Sequence, residues 1–121
     1  NPEKAYRYGK RTAKDLFGSL VKEFDEEVEN LPPDKKFELA VGLARATGWG
    51  EMEVLSINNK KMEGSFRIAR SVEASLKEDS GYMLSAGFMA GLGTVAFGAD
   101  MDCTARKEGD GAVINMERAK A

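Results

Sequence analysis

The chain has 121 residues, a net charge of −2 and acidic and basic side chains that are interspersed, which is the size of one domain and argues against a nucleic-acid-binding surface. It contains no histidine and only one cysteine, Cys103, so histidine-based acid–base catalysis and an intrachain disulfide are excluded. A single cysteine and the absence of an N-terminal signal pattern predict a reducing, cytoplasmic location. Because the sequence starts at Asn1 rather than Met, we expect a processed or partial chain. No catalytic motif stands out, so a binding role is favoured over catalysis.

Two helices are predicted at the N-terminal end. Over 6–29, apolar residues recur at spacings of three and four, which is typical of one buried helix face. They are Ala13, Leu16, Phe17, Leu20, Val21, Phe24 and Val28. Pro32 and Pro33 break this helix, since proline cannot lie in a helix interior. A second helix is predicted over 33–47, burying Phe37, Ala40, Val41 and Ala44, and Gly48 ends it.

After Gly50 the spacing of apolar residues changes from a period of 3.6 residues to a period of 2, which is typical of strands. Met52, Val54 and Ser56 alternate with Glu53, Leu55 and Ile57, and after a turn at 58–61 a second strand is predicted over 66–72. The C-terminal end repeats this pattern over 101–106 and 112–117 around the turn at 107–111. Two antiparallel hairpins are therefore predicted.

Residues 80–99 contain no charged side chain and are about long enough to span a bilayer. Their glycines and the lack of flanking Lys or Arg argue against a membrane span. A helix that is apolar on all sides is otherwise buried, so the first two helices, a second subunit or a bound apolar molecule must cover it. Small residues on one side either admit another helix or leave a void for a ligand, and both interpretations stay open. These are Ala86, Gly87, Ala90, Gly91 and Thr94.

The predicted order is α-α-β-β-α-β-β in a single domain, 1–121. The simplest arrangement of these elements is an α+β fold, with a four-stranded antiparallel sheet built from the two hairpins. The apolar helix lies between the hairpins in the chain, and the helices pack on one face of the sheet.

Four side chains, those of Asp100, Asp102, Cys103 and Arg70, are candidates for binding an ion or a ligand. Asp100 and Asp102 would share one face of a strand and could hold a cation weakly, although a solvated edge is the commoner reason for such a pair. Cys103 fits a small buried hydrophobe better than a metal ligand, because no second cysteine or histidine accompanies it. Arg70, if it points inward with Phe66, would need a carboxylate or a ligand anion as partner.

Three stretches in the second half of the chain form a series: Ala-Gly-Phe-Met-Ala-Gly-Leu at 86–92, then Asp100 to Cys103, then Gly109-Asp110. In this order they resemble the 4-vinyl reductase domain family. That family is similar in fold to the core subunits of the TRAPP vesicle-tethering complex. It includes archaeal proteins described as hydrocarbon-binding and sensory domains of aromatic-responsive bacterial regulators.

The resemblance implies a pocket for a small hydrophobic molecule beside the central helix, and a homodimer formed through the helices. The candidate ligand-binding residues are Phe66, Tyr82, Met83, Ala86, Gly87, Met89, Ala90 and Phe97. Many family members bind zinc through a set of cysteines, but Tyr82 and Val113 stand at two of those positions here. Cys103 and Asp100 remain, so no zinc or other cofactor is expected.

Three functions remain open at this point. The first is binding of a lipid, hydrocarbon or aromatic molecule as a sensor or carrier domain. The second is a dimerisation or assembly subunit without a ligand. The third is an accessory protein of tetrapyrrole vinyl reduction.

Overall fold

The computed structural model describes residues 1–23, 28, 30–46, 48, 50–70 and 81–120. Within this part of the chain three helices and four strands follow one another in the predicted order. They are α1 (Pro2–Glu23), α2 (Pro33–Ala46), β1 (Glu51–Asn58), β2 (Glu63–Ala69), α3 (Met83–Phe97), β3 (Met101–Glu108) and β4 (Gly111–Arg118). The predicted ends of the first two helices, at residues 29 and 47, and strand residues 71–72 lie outside the described residues.

Helix α1 begins four residues earlier than the predicted start at residue 6, because its N-terminus is capped. The Asn1 side chain accepts a hydrogen bond from the backbone N–H of Glu3 at 3.0 Å, and Pro2 is the first helical residue. Asparagine before proline is a favourable helix start, because the cap satisfies an amide that has no partner within the helix.

One side of α1 is buried through Gly9, Ala13 and Phe17. Leu16, which the spacing assigned to this face, is instead 54% exposed. Leu16 lies at the margin of the predicted apolar stripe of α1, and its side chain remains in solvent.

The four strands form one antiparallel sheet in the order β1-β2-β4-β3. Phe66 in β2 lies opposite Val54 in β1 and Ile114 in β4, and Ile114 lies opposite Ala105 in β3. These residues share the face that points toward the helices, as the alternating pattern predicts. The opposite face carries polar side chains and ion pairs such as Arg106–Glu108 at 3.3 Å.

A β-bulge in β1 changes the predicted alternation in its second half. The register shifts between Val54 and Ser56, so Leu55 is the additional residue. Beyond the bulge Ile57 lies opposite Gly64 and joins the inner face, while Leu55 and Ser56 are exposed. Ser56 was predicted to share a face with Val54, and this was wrong because a bulge reverses the side-chain order beyond it.

The helices cover the inner face of the sheet in two parts. Helix α3 packs on β3 and β4, α2 packs on β1, and α1 lies against α3. The Phe37 ring of α2 joins these parts, since its centroid is 5.2 Å from that of Phe66 and 5.6 Å from that of Phe97. The centre of the hydrophobic core therefore lies between α2, α3 and the two central strands.

Helix α3 occupies residues 83–97 of the uncharged segment and is bounded by left-handed residues. Tyr82 has φ of +62°, and Gly98, with φ of +68°, donates its N–H to the carbonyl of Thr94. The Thr94 hydroxyl also accepts the N–H of Met101 at 3.0 Å, which fixes the turn into β3. No helix in the described ranges is both long and apolar enough to cross a bilayer.

Candidate functional site

The glycines of α3 that face α1 allow two helix backbones to touch. A Cβ on Gly87 would lie 2.8 Å from the carbonyl carbon of Tyr6, and one on Gly91 would lie 2.7 Å from the Cβ of Ala13. From the other helix, a Cβ on Gly9 would lie 2.9 Å from the backbone nitrogen of Phe88. Of the two interpretations of the small-residue stripe, close helix packing therefore describes the positions of Gly87 and Gly91.

Another face of α3 meets the sheet at Gly93. Ala86, Ala90 and Gly93 follow at the spacing of one helix face, and a Cβ on Gly93 would meet the thioether sulfur of Met116 and the side chain of Met101. Ala86 and Ala90 are fully buried. Small residues on the helix and methionines on the sheet thus form the candidate ligand site, an apolar layer between α3 and strands β3 and β4.

The predicted ligand-binding residues occupy several parts of this layer. Ala86, Met89, Ala90, Phe66 and Tyr82 are buried, whereas Met83 and Phe97 are partly buried. Phe66 and Phe97 meet through Phe37, near the C-terminal end of α3.

Tyr82 lies at the other end of α3, where its hydroxyl donates a long hydrogen bond of 3.4 Å to the backbone carbonyl of Asp110. Phe97 lies fifteen residues after Tyr82, which corresponds to about 22 Å at ~1.5 Å per residue. A molecule the size of one aromatic ring therefore cannot contact both ends of the predicted set at once.

Three further core residues near α3 were absent from the predicted set: Phe37 of α2, and Met101 and Met116 of the sheet. Phe37 was predicted to be buried on the second helix, but its contact with Phe66 depends on how α2 docks. Met101 and Met116 lie within the two predicted C-terminal strands, 101–106 and 112–117. The sequence signal for their role was Gly93, because a glycine in a buried helix indicates close approach of a neighbour.

A polar cluster fastens α1 to the edge strand β3. The Tyr6 hydroxyl donates to the Asp102 carboxylate at 2.8 Å and accepts the backbone N–H of Cys103 at 3.0 Å. The Lys10 ammonium lies 2.7 Å from Asp100 and 3.1 Å from Asp102. The position between the two carboxylates, where a weak cation site was considered, is occupied by this ammonium group.

The cluster alters the ionisation of its members. Burial opposes the charged forms of Lys10 and Asp102, but hydrogen bonds outweigh it. The bonds from Lys10 to Asp100 and Asp102 raise the pKa of Lys10, and the bonds from Tyr6 and Lys10 lower the pKa of Asp102. Burial raises the pKa of Tyr6, whose hydroxyl stays protonated.

Cys103 is buried, and that burial raises the pKa of its thiol, which is therefore a poor nucleophile at neutral pH. Within the described ranges no group of three or more Cys, Asp or Glu side chains is placed to hold a metal ion.

Arg70 does not point into the core. Strand β2 ends at Ala69, Arg70 has φ of +51°, and its guanidinium pairs with Glu51 at 3.3 Å on the surface. The expected inward alternation stops one residue earlier, so this side chain offers no anion site in the core.

No family model matches the sequence, and no curated protein matches it. Among solved structures, the chain is similar to the phenol-responsive sensory domain of the transcription activator PoxR with phenol. The TM-score is 0.70 at 12% identity over 97% of this chain, which spans only 64% of that one.

Two further structures are similar. A trafficking protein particle complex subunit 3 from Naegleria fowleri, covalently bound to palmitic acid, has a TM-score of 0.64 at 11% identity, covering 98% of this chain and 80% of that chain. A vinyl-4-reductase family protein from Methanocaldococcus jannaschii has a TM-score of 0.64 at 13% identity, covering 96% of this chain and 68% of that chain. The domain shares its fold with all three, which confirms the predicted resemblance at the level of fold.

Proposed function

We propose that this domain binds a small hydrophobic molecule in the apolar layer between α3 and the sheet, as a sensor or carrier domain. The observation that carries the proposal is the fold shared with a phenol-responsive domain and with a palmitate-bound subunit. We place this function in a reducing, cytoplasmic compartment and assign it no metal, cofactor or nucleic-acid partner.

The chemistry of the layer supports this proposal. Ser85 is the single polar residue among the fully buried side chains that the structure describes. The side chains that α3 and the sheet bring together at Gly93 are the thioethers of Met101 and Met116, which gain free energy when they exclude water around an apolar ligand. We therefore expect the bound molecule to be neutral where it lies in this layer.

Native mass spectrometry of the purified protein, with organic extraction of whatever co-purifies, tests the proposal. We expect an adduct of low mass that disappears on denaturation and is recovered in the organic phase. Added toluene and methyl laurate serve as an aromatic and an alkyl probe. A protein that carries no adduct and gains thermal stability from neither probe would contradict ligand binding.

The assembly function is kept as a second candidate because apolar side chains remain on the helix surfaces. Leu16 and Tyr8 on α1 and Leu39 on α2 are exposed, and the Naegleria fowleri neighbour is a subunit of a complex. On this proposal the domain forms a homodimer through its helices.

Light scattering after size exclusion tests this candidate. We expect a dimer that Leu16→Glu dissociates, whereas Leu55→Glu on the sheet edge, the matched control, does not. A monomeric parent protein would contradict the dimer. An absorbance spectrum of the same sample tests the tetrapyrrole alternative, since a bound ring absorbs visible light.

A further inference from the structure

Met116 occupies space that two glycines leave free. It is 2% exposed and lies opposite Gly64 in β2 and Cys103 in β3. Its sulfur stands where a side chain on Gly93 would begin, and its terminal methyl is 3.1 Å from the position of a Cβ on Gly64. The Met116 side chain is thus held between α3 and the centre of the sheet by neighbours that have no side chains.

This arrangement differs from ordinary core packing, because the space that the Met116 side chain fills can be vacated without movement of the backbone. Methionine is unbranched and has three rotatable side-chain bonds, so its end can leave while its backbone stays in the strand. The space it leaves would be bounded by Gly93, Gly64, the Phe66 ring and Met101. Glycine, phenyl and thioether surfaces suit an uncharged aromatic or short alkyl group.

A surface groove approaches the same point from outside. It lies where β1 and β4 end and β2 begins, and it is lined by residues 56–58, 63–65 and 115–117. Gly64 and Met116 belong to both the groove lining and the inner contact described above. Only this part of the sheet therefore separates the groove from the apolar layer at Met116.

We infer that Met116 is the specificity-determining side chain of the ligand site: an uncharged apolar ligand displaces it from the Gly93–Gly64 space and takes its place. The inference rests on the proposed function and adds to it a location, a ligand size set by the space beside Gly93, and a side chain that moves. Ligands with a charged group in this space would be excluded, because nothing that bounds it carries a compensating charge.

Methyl-methionine NMR tests this inference directly. The chain has six methionines, so ¹³C-methyl labelling gives six signals that single Met→Leu variants assign. On addition of toluene or methyl laurate we expect the largest shift at Met116, a smaller one at Met101, and none at Met62 in the β1–β2 turn.

A glycine pair provides a matched control. Gly93→Ala places a Cβ where the Met116 sulfur lies, whereas Gly42→Ala in α2 adds a Cβ with no atom within 4 Å. We expect Gly93→Ala to shift the Met116 methyl without ligand and to raise the Kd for toluene on the order of tenfold, and Gly42→Ala to change neither. If Gly93→Ala fails to fold, the titration of the unaltered protein still decides.

The outcomes separate the two proposals. Probe binding that shifts other methionines and leaves Met116 unmoved overturns the inference while ligand binding stands. No methionine shift and no native adduct with either probe overturns the proposed function together with the inference.

Discussion

Replacing Gly87 with alanine should destabilise the domain, although alanine is the better helix former. The new Cβ would lie 2.8 Å from the carbonyl carbon and 2.9 Å from the Cα of Tyr6. These are backbone atoms that cannot rotate away, so α1 must shift as a whole. Overpacking of this kind typically costs about 1–3 kcal/mol, whereas the helix-propensity gain from Gly to Ala is at most ~1 kcal/mol.

Gly42→Ala isolates the packing cost from the propensity gain. Gly42 also lies within a helix, but a Cβ there meets nothing within 4 Å. The propensity gain is common to both variants, so their free energies of unfolding should differ by roughly 1–3 kcal/mol, or by several degrees in Tm. Urea unfolding followed by circular dichroism measures this difference. Equal stability of the two variants would refute the contact between α1 and α3 at Gly87.

Three further predictions concern the polar cluster and the aromatic core. Tyr6→Phe removes the partner of the Cys103 amide and of Asp102, so the free energy of unfolding should fall by about 1 kcal/mol in urea titrations; an unchanged value would mean that water replaces both bonds. Because the pKa of Asp102 is lowered by folding, its contribution to stability is present above the unfolded pKa of about 4 and is lost as the pH falls through the folded pKa. The raised pKa of Lys10 gives the opposite sign: its contribution is lost as the pH rises above about 10.4. Thermal melts of Lys10→Met should therefore depend less on pH at both limits than those of the parent protein, and an identical pH profile would contradict the ion pairs. Phe37→Ala should cost about 3–5 kcal/mol in chemical unfolding, and a loss below 1 kcal/mol would show that the aromatic cluster does not hold α2 in place.

The sequence predicts the fold well because each local pattern agrees with the final arrangement. Proline at 32–33 separates the first two helices, and the change of period at Met52 marks the first strand. The absence of charge over 80–99 predicts a helix covered on all sides, and α1 and the sheet do cover α3. Local propensity, periodicity and burial thus point to one architecture.

The errors have tertiary causes. The bulge at Leu55 reverses the alternation of β1. The sequence does not predict this bulge, because β1 contains no glycine to indicate one. Leu16 fits the apolar spacing of α1 but lies at the margin of that stripe and is exposed. Arg70 follows the strand pattern by sequence, yet β2 ends before it.

The small residues of α3 show most clearly what a sequence leaves undecided. A helix that admits a neighbouring backbone and a helix that borders a ligand need the same small side chains. At Gly87 and Gly91 the structure places the α1 backbone in the space. At Gly93, on another face of the same helix, the space holds a flexible side chain instead. Which of these occupies a gap depends on how distant parts of the chain dock.

This difference between the two faces of α3 decides where a ligand would meet the lower barrier. On the α1 side, room for a ligand requires separation of two backbones in contact at Gly87 and Gly91, together with the bonds from Tyr6 to β3. On the sheet side, the same room requires rotation of the Met116 side chain alone, while the strand hydrogen bonds stay intact. Side-chain rotation in a protein core is far less costly than moving a packed helix, which favours the sheet side of α3 over the α1 side for the proposed ligand site. Gly93→Ala should therefore weaken ligand binding more than it lowers the stability of the fold, whereas Gly87→Ala should mainly lower the stability of the fold.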